Sequence, residues 1–214
     1  MNIAVIGAGN VGGTLGTRWA KLGHQLVFGV RNPADPKIQK LLSAAGAKAR
    51  AASPAEAVAS AAVVALTVPW EGAQNAVQSA GNLSGKVLID ATNPVLMGAE
   101  GLSKGLVVGH TTSAAEQIAS WAKGARVVKA FNTTGFGNMA DPKYGAQNAT
   151  MFICGDDAEA RATVKKLSDE LGFDTIDAGP LFAARYLEPM AMLWIHLAFV
   201  AGQGTNFAFK VLRR

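Results

Sequence analysis

The feature that most limits the fold lies at the start of the chain. Asn2-Ile3-Ala4-Val5-Ile6, mostly apolar and of strand length, runs directly into Gly7-Ala8-Gly9-Asn10-Val11-Gly12, a G-x-G-x-x-G. Behind it Val11, Leu15, Trp19 and Leu22 fall on one face of a helix. Strand, glycine turn and helix in that order are the context a dinucleotide-binding turn requires. Gly7 lets the chain turn sharply, Gly9 leaves room for pyrophosphate, and Gly12 lets the helix pack close to the sheet. The helix start, including Asn10 and Val11, then offers unpaired N–H groups and a positive dipole end to the phosphates.

Gly23 ends this helix, and Gln25 to Val30 reads as the second strand. A site for NAD places Asp or Glu about 20 residues beyond the glycines, on the ribose 2′-hydroxyl. Here that place reads Val30-Arg31-Asn32-Pro33, with no acid before Asp35 and with Lys37 following. A guanidinium there suits a 2′-phosphate, so NADP(H) is the expected cofactor, held by Arg31, Asn32 and Lys37. Hydrogen bonds to charged groups contribute roughly 1.5–3 kcal/mol each, so Arg31 alone can favour NADP by about tenfold to a hundredfold. The alternative is an Arg that merely caps an exposed strand end.

Composition narrows the class. The 214 residues are half apolar and only 16% charged, enough for one domain with a large core. A net charge of +5 without a basic run argues against nucleic acid, and a polyanionic cofactor accounts for some of the excess. The single cysteine, Cys154, sits in an apolar strand pattern, so neither a disulfide framework nor a metal cluster is expected. No signal peptide is visible, and the apolar run Met190 to Ala201 is too short to cross a bilayer. The expectation is a cytoplasmic protein without membrane insertion.

Along the chain, helices and strands alternate. Asp35-Pro36 opens a helix closed by Gly46, residues 47–51 make a weak strand, and Ser53-Pro54-Ala55-Glu56 is a capping box. Ala62 to Val68 is a strand ending in Thr67-Val68-Pro69, with a helix through about Ala80. Lys86 to Asp90 is a strand ending at Asn93-Pro94, and a passage with Gly98, Gly101, Gly105 and Gly109 leads to a second capping box, Ser113 to Glu116. After a helix to about Lys123, the strand Arg126 to Ala130 ends in Phe131-Asn132-Thr133-Thr134. Gly135 to Asn148 reads as a long loop, either a lid or a packed surface loop. Thr150 to Cys154 is a strand, a helix capped by Asp156 or Asp157 reaches Leu171, and Phe173 to Ala178 is the last strand. A helix from about Phe182 through Ala201 is apolar on all sides and is expected to be buried, partly by a second subunit in a homodimer.

The alternation implies an α/β fold, a Rossmann-type doubly wound, mostly parallel sheet with a small C-terminal helical extension. Residues 1–135 form the NADP-binding domain, and 136–214 complete the acceptor pocket and dimer interface. Ligands of such sheets sit beyond the carboxyl ends of the strands. That rule gathers Gly7, Gly9, Gly12, Arg31, Thr67, Val68, Pro69, Asn93 and Pro94 on one surface, with Asn132 and Thr133 nearby. Pro69 and Pro94 read equally well as strand-ending punctuation.

The ensemble resembles the NADPH-dependent reductases of the deazaflavin coenzyme F420. The likeness runs through Gly7-x-Gly9-Asn10-x-Gly12, Gly29-x-Arg31, Leu66-Thr67-x-Pro69-Trp70-Glu71 and Ser113-Ala114-Ala115-Glu116. It continues in Cys154-Gly155-Asp156-Asp157, Asp177-Ala178-Gly179-Pro180-Leu181 and Gly202-x-Gly204. Val128-Lys129-Ala130-Phe131-Asn132 is more similar to the cytosolic oxidoreductase domain of the six-transmembrane ferric reductases, a related group. The resemblance implies an NADP-binding Rossmann domain, an acceptor pocket shaped by a C-terminal extension, and dimerisation. Two positions depart from it: Val30 stands where the family commonly has Ser, and Asp35 where a basic residue is expected.

The expected chemistry is hydride transfer between nicotinamide and a flavin-like small-molecule acceptor, F420 or FMN/FAD. The cofactors carry such chemistry, so the sequence need not assemble a buried acid–base pair, and none is visible by spacing. His110 is the candidate donor to an acceptor carbonyl. Asn132 and Thr133 either orient a carboxamide or acceptor ring or simply end a strand. His196 reads as a core or interface residue. The alternatives are an NADPH-dependent reductase of a small carbonyl, imine or ferric chelate, and a non-catalytic NADPH-sensing module.

Overall fold

A computed structural model describes residues 1–96 and 105–214. Gly98 and Gly101 lie outside the described residues. The central sheet is built from β1 (Asn2–Ile6), β2 (Gln25–Gly29), β3 (Ala49–Ala52), β4 (Val63–Leu66), β5 (Val87–Asp90) and β6 (Arg126–Lys129). These six are parallel in the order β3-β2-β1-β4-β5-β6. β2, β4 and β6 end at Gly29, Leu66 and Lys129, short of the ends their apolar runs suggest, so the residues that follow leave the ladder.

Both faces of the sheet are covered, which is why the strands read as continuous apolar runs. Ile3 and Val5 of β1 join one core with Leu15, Trp19 and Phe28, while Ala4 and Ile6 join another with Val58, Val77 and Ile118. The first face carries α1 (Asn10–Lys21), and the second carries α3 (Pro54–Ala59), α4 (Trp70–Ser79) and α5 (Ala114–Trp121). Leu22, expected on the buried face of α1, is instead about half exposed as the residue that caps it. Ahead of β3, α2 (Pro36–Ala45) starts on the Asp35 N-cap with proline in its first turn.

The register places the site. Ile6 pairs with Gly29 and Leu66, Leu66 with Asp90, and Asp90 with Lys129. One row of partners thus crosses five strands, and the residues that follow it in sequence emerge along one edge.

Parallel alternation stops at β6. The stretch expected as a long loop folds into α6 (Phe136–Ala140) and a hairpin of β7 (Lys143–Tyr144) and β8 (Gln147–Asn148). With so short a helix the connection is no crossover, so β9 (Thr150–Gly155) returns antiparallel to β6. α7 (Ala158–Glu170) then leads to β10 (Asp174–Asp177), parallel to β9. The carboxyl ends of β9 and β10 therefore face away from the edge where β1 to β6 end.

The last helix differs from its expectation. A short 3-10 turn (Leu181–Ala183) enters α8 (Ala184–Ile195), which carries Pro189 internally and passes into a π-helical turn at His196–Val200. It buries Ala184, Leu187, Glu188, Ala191 and Trp194 but exposes Tyr186, Leu193, Phe199 and Val200, so the chain alone covers one side only. His196 is exposed rather than part of the core.

The remaining residues run as an extended strap. Where β6 peels away from β9, the strap takes its place: Thr150 N–H donates to the Phe209 carbonyl at 2.9 Å. The Phe207 carbonyl accepts from Asn138 Nδ2 at 2.7 Å and Trp194 Nε1 at 3.0 Å.

Candidate active site

The glycine turn is assembled as its sequence requires. Gly7 has φ of +98°, a conformation that residues with a Cβ rarely adopt. Thr67 Oγ1 lies 2.8 Å from the Gly7 carbonyl oxygen and 3.0 Å from that of Ile6, bracing the turn from the end of β4. A Cβ on Gly12 would come within 2.0 Å of the Gly7 oxygen and 2.3 Å of Thr67 Oγ1. A Cβ on Gly9 would meet nothing among the described residues within 4 Å. Gly9 caps α1 without a side-chain bond, and no acidic residue occupies the first turn. The start of α1 therefore faces open space with a positive field. Val11 packs its side chain on the core, so its contribution to that space is its backbone N–H.

At the end of β2, Val30 is tied by its N–H to the Ala52 carbonyl and packs against the core, while Arg31, Asn32 and Lys37 are exposed. Asn32 Oδ1 accepts from Ala34 N–H at 3.2 Å, which leaves its amide N–H groups turned to solvent. Asp35, the acid where a base was expected, accepts from Lys37 N–H at 2.8 Å as the N-cap of α2. The helix dipole offsets its charge.

The ends of β5 and β6 meet through a reciprocal amide pair. Asn93 Nδ2 donates to the Asn132 carbonyl at 2.9 Å, and Asn132 Nδ2 donates to Asn93 Oδ1 at 3.1 Å and to the Leu187 carbonyl at 3.2 Å. Phe131 just before is buried with φ of +63°. A non-glycine residue there costs on the order of 1–3 kcal/mol, a strain found most often at functional sites. Asn132 Oδ1 and Thr133 Oγ1 are buried without a hydrogen-bond partner among the described residues. Val68 packs on the core, Pro69 is exposed at the N-cap of α4, and Pro94 is buried, its carbonyl accepting from Val107 N–H at 2.8 Å. His110 is exposed with φ of +61° and forms no hydrogen bond among the described residues.

Sequence reasoning missed a buried cluster directly behind this pair. Lys129 Nζ, fully buried, lies 2.8 Å from Asp90 Oδ2, 2.8 Å from Glu188 Oε1 and 2.7 Å from the Thr92 carbonyl. Burial pulls the ammonium towards its neutral form, but the two carboxylates outweigh it and raise the pKa above that of a free lysine. Glu188 also accepts from the N–H groups of Ala114 and Ala115, at 2.9 and 3.1 Å, so it caps α5 from α8. The available signal was a lysine inside an apolar strand and a glutamate inside an apolar helix, positions that only a charge partner can stabilise. Cys154, beside the cluster, has its thiol pushed up to about 12 by burial, with Lys129 opposing, and is no nucleophile.

The open cradle at Gly9, the braced turn and the two orphaned oxygens fit a dinucleotide laid across the switch point between β1 and β4. Fold and site together define a Rossmann oxidoreductase whose β2 end carries exposed basic residues. A family model described as coenzyme F420-dependent NADP oxidoreductase matches residues 2–94. The F420-dependent NADP reductase of Methanothermobacter marburgensis is 31% identical over 207 residues, covering 92% of each chain. A crystal structure titled a putative F420-dependent NADP reductase, from Arthrobacter sp. FB24, superimposes with a TM-score of 0.90 at 33% identity over the full length of both. Metalloreductase STEAP3 of Rattus norvegicus is 32% identical over 191 residues, but the chain spans only 36% of that relative's length. A reductive aminase from Aspergillus terreus, 19% identical with a TM-score of 0.65, shares the fold. The chain belongs to the coenzyme F420-dependent NADP oxidoreductase family and is an NADP-dependent oxidoreductase. Among the described residues no helix is long and apolar enough to cross a membrane.

Proposed function

We propose that the chain transfers a hydride between NADP(H) and a flavin-like ring, either a deazaflavin of the F420 type or FMN/FAD. NADPH supplies the hydride from its nicotinamide; the protein supplies orientation. Backbone N–H groups of Asn10, Val11 and Gly12 hold the pyrophosphate, with Gly7 and Gly9 giving it access. Arg31, Asn32 and Lys37 hold the 2′-phosphate. Thr67 keeps the turn rigid, Val68, Pro69 and Pro94 wall the passage, and Asn93 fixes Asn132. Asn132 Oδ1 and Thr133 Oγ1 then receive the carboxamide. Residues 136–214 close the acceptor side, and the exposed apolar face of α8 pairs two copies.

One observation carries the choice of acceptor. The buried ionisable groups at the nicotinamide end are locked in a mutual cluster, with Lys129 bonded to Asp90, Thr92 and Glu188. None is poised as a proton donor, which reduction of a carbonyl or imine requires and transfer between rings does not. The relatives named F420-dependent NADP reductases support the same reading.

Anaerobic stopped-flow mixing of NADPH-loaded protein with deazaflavin, FMN, FAD, a ferric chelate and a cyclic imine tests this. Deazaflavin or a flavin should accelerate loss of the reduced-nicotinamide absorbance, and His110→Ala should preserve that rate. Turnover confined to the imine or chelate, or abolished by His110→Ala, would refute it.

A further inference from the structure

The buried cluster behind the Asn93–Asn132 pair has no role in the chemistry above, yet it is tied to Asn132, one of the two side chains there with an uncommitted buried oxygen. Asn132 commits both amide N–H groups, one to Asn93 Oδ1 at 3.1 Å and one to the Leu187 carbonyl at 3.2 Å. Turning the amide over would set its oxygen against two acceptors, so the orientation is fixed by its partners. Each partner is held in turn. Asn93 follows Thr92, whose N–H and hydroxyl both donate to Asp90 Oδ1, at 2.8 and 2.7 Å, and whose carbonyl accepts from Lys129. Leu187 precedes Glu188, whose carboxylate is gripped by Lys129 and by the first N–H groups of α5.

We propose that Glu188, through Lys129, is a positioning residue: it anchors α8 to the ends of β5 and β6, so that Asn132 offers only its amide oxygen to a ligand. An uncommitted acceptor on Asn132 and an uncommitted hydroxyl on the next residue, Thr133, which can donate, match a primary carboxamide, whose N–H₂ and C=O need one of each. The ligand group assigned is therefore the carboxamide of the nicotinamide ring, which rests on the cofactor orientation proposed above. The arrangement also explains why the link crosses between the two halves of the chain. Glu188 comes from the C-terminal extension, whereas Lys129, Asp90 and Asn132 stand at the ends of the parallel strands. Displacing α8 withdraws the Leu187 carbonyl and frees the Asn132 amide to turn.

The test compares oxidised NADP with its 3-acetylpyridine analogue, which replaces the carboxamide N–H₂ by a methyl group. Calorimetry gives both dissociation constants without any acceptor, so the result is independent of which ring receives the hydride. Wild type should favour NADP by about tenfold or more, because the analogue leaves the Asn132 oxygen unpaired. Asn132→Ala should bring the ratio close to one. Glu188→Gln, which sets an N–H₂ against a backbone N–H of α5, should cut it at least threefold. Glu188→Asp keeps the charge opposite Lys129 but is too short to hold both ends, and should cut it likewise if Glu188→Gln does not fold. A purely structural role would weaken both ligands equally and leave the ratio unchanged. A wild-type ratio near one, or a wild-type ratio kept within twofold by a folded Glu188 variant, overturns the assignment.

Discussion

Alanine at Gly9 and alanine at Gly12 should separate binding from folding within one turn of chain. At Gly9 the backbone has φ of −77°, which any L-residue tolerates, and the added methyl meets nothing among the described residues within 4 Å. Two small terms act on stability and oppose each other. Alanine is a poorer N-cap than glycine, while removing glycine restricts the unfolded chain by about 0.4–1 kcal/mol. The melting temperature of Gly9→Ala should stay within about 2–4 °C of wild type, since 1 kcal/mol shifts a chain of this size by that much. Yet in the binding mode proposed above the methyl group fills the space through which pyrophosphate would reach the helix start. Losing hydrogen bonds to a charged group, worth roughly 1.5–3 kcal/mol each, should weaken NADPH binding by about tenfold to a hundredfold. At Gly12 the order reverses. The methyl would sit 2.0 Å from the Gly7 oxygen, 2.3 Å from Thr67 Oγ1 and 3.0 Å from Val5 Cγ1, two of them held by the turn itself. Overpacking of this kind costs about 1–3 kcal/mol, so Gly12→Ala should lose both stability and cofactor. Thermal unfolding with and without NADPH, and titration of nicotinamide fluorescence, read both quantities. Full NADPH affinity in Gly9→Ala would show that the open space is not the phosphate cradle.

Arg31→Ala should weaken NADPH by about tenfold to a hundredfold and leave NADH nearly unchanged, measured by the same titration; equal losses would remove the 2′-phosphate from that side chain. Cys154, with its thiol pushed up to about 12 by burial, should resist iodoacetamide at pH 8 in the folded protein and react once unfolded, as mass spectrometry would record. Glu116 is held below the usual carboxylate range first by hydrogen bonds from Arg185, then by Ser113, against the opposing effect of burial. Its contribution is therefore present above the unfolded value of about 4.5 and is lost as pH falls through the lower folded value. Glu116→Gln should lower the urea midpoint at pH 7 by an amount equivalent to about 1 kcal/mol or less, and the gap should close as pH falls below the folded value. A gap that persists or widens in acid would mean that the carboxylate charge is not what matters.

What the sequence disclosed and what it withheld follow from the range of the interactions. The carboxyl edge of the sheet announced itself because its geometry is local. A sharp turn needs glycine at position 7, a close helix needs it at position 12, and proline marks where chains leave strands at 69 and 94. The register then brings those ends into line, from Ile6 through Leu66 and Asp90 to Lys129, and parallel apolar strands could align in few other ways. The Lys129 cluster depends instead on three residues from β5, β6 and α8, each of which reads locally as a lone charge in an apolar run. The reversal at β9 was hidden for a related reason. Its strand pattern is the same in either direction, and only the five-residue α6, too short for a crossover, decides it. The strap is the least legible of all, because the hydrogen bonds that hold it at Phe207 and Phe209 use their carbonyls, which every residue has, and its stack of Phe207 on Trp194 joins two separate elements. Asn132 stands where the two kinds of information meet. Its place at a strand end can be read from the sequence, but which of its amide atoms is left uncommitted is set by Leu187 and Asn93, and so by contacts that only the folded chain makes.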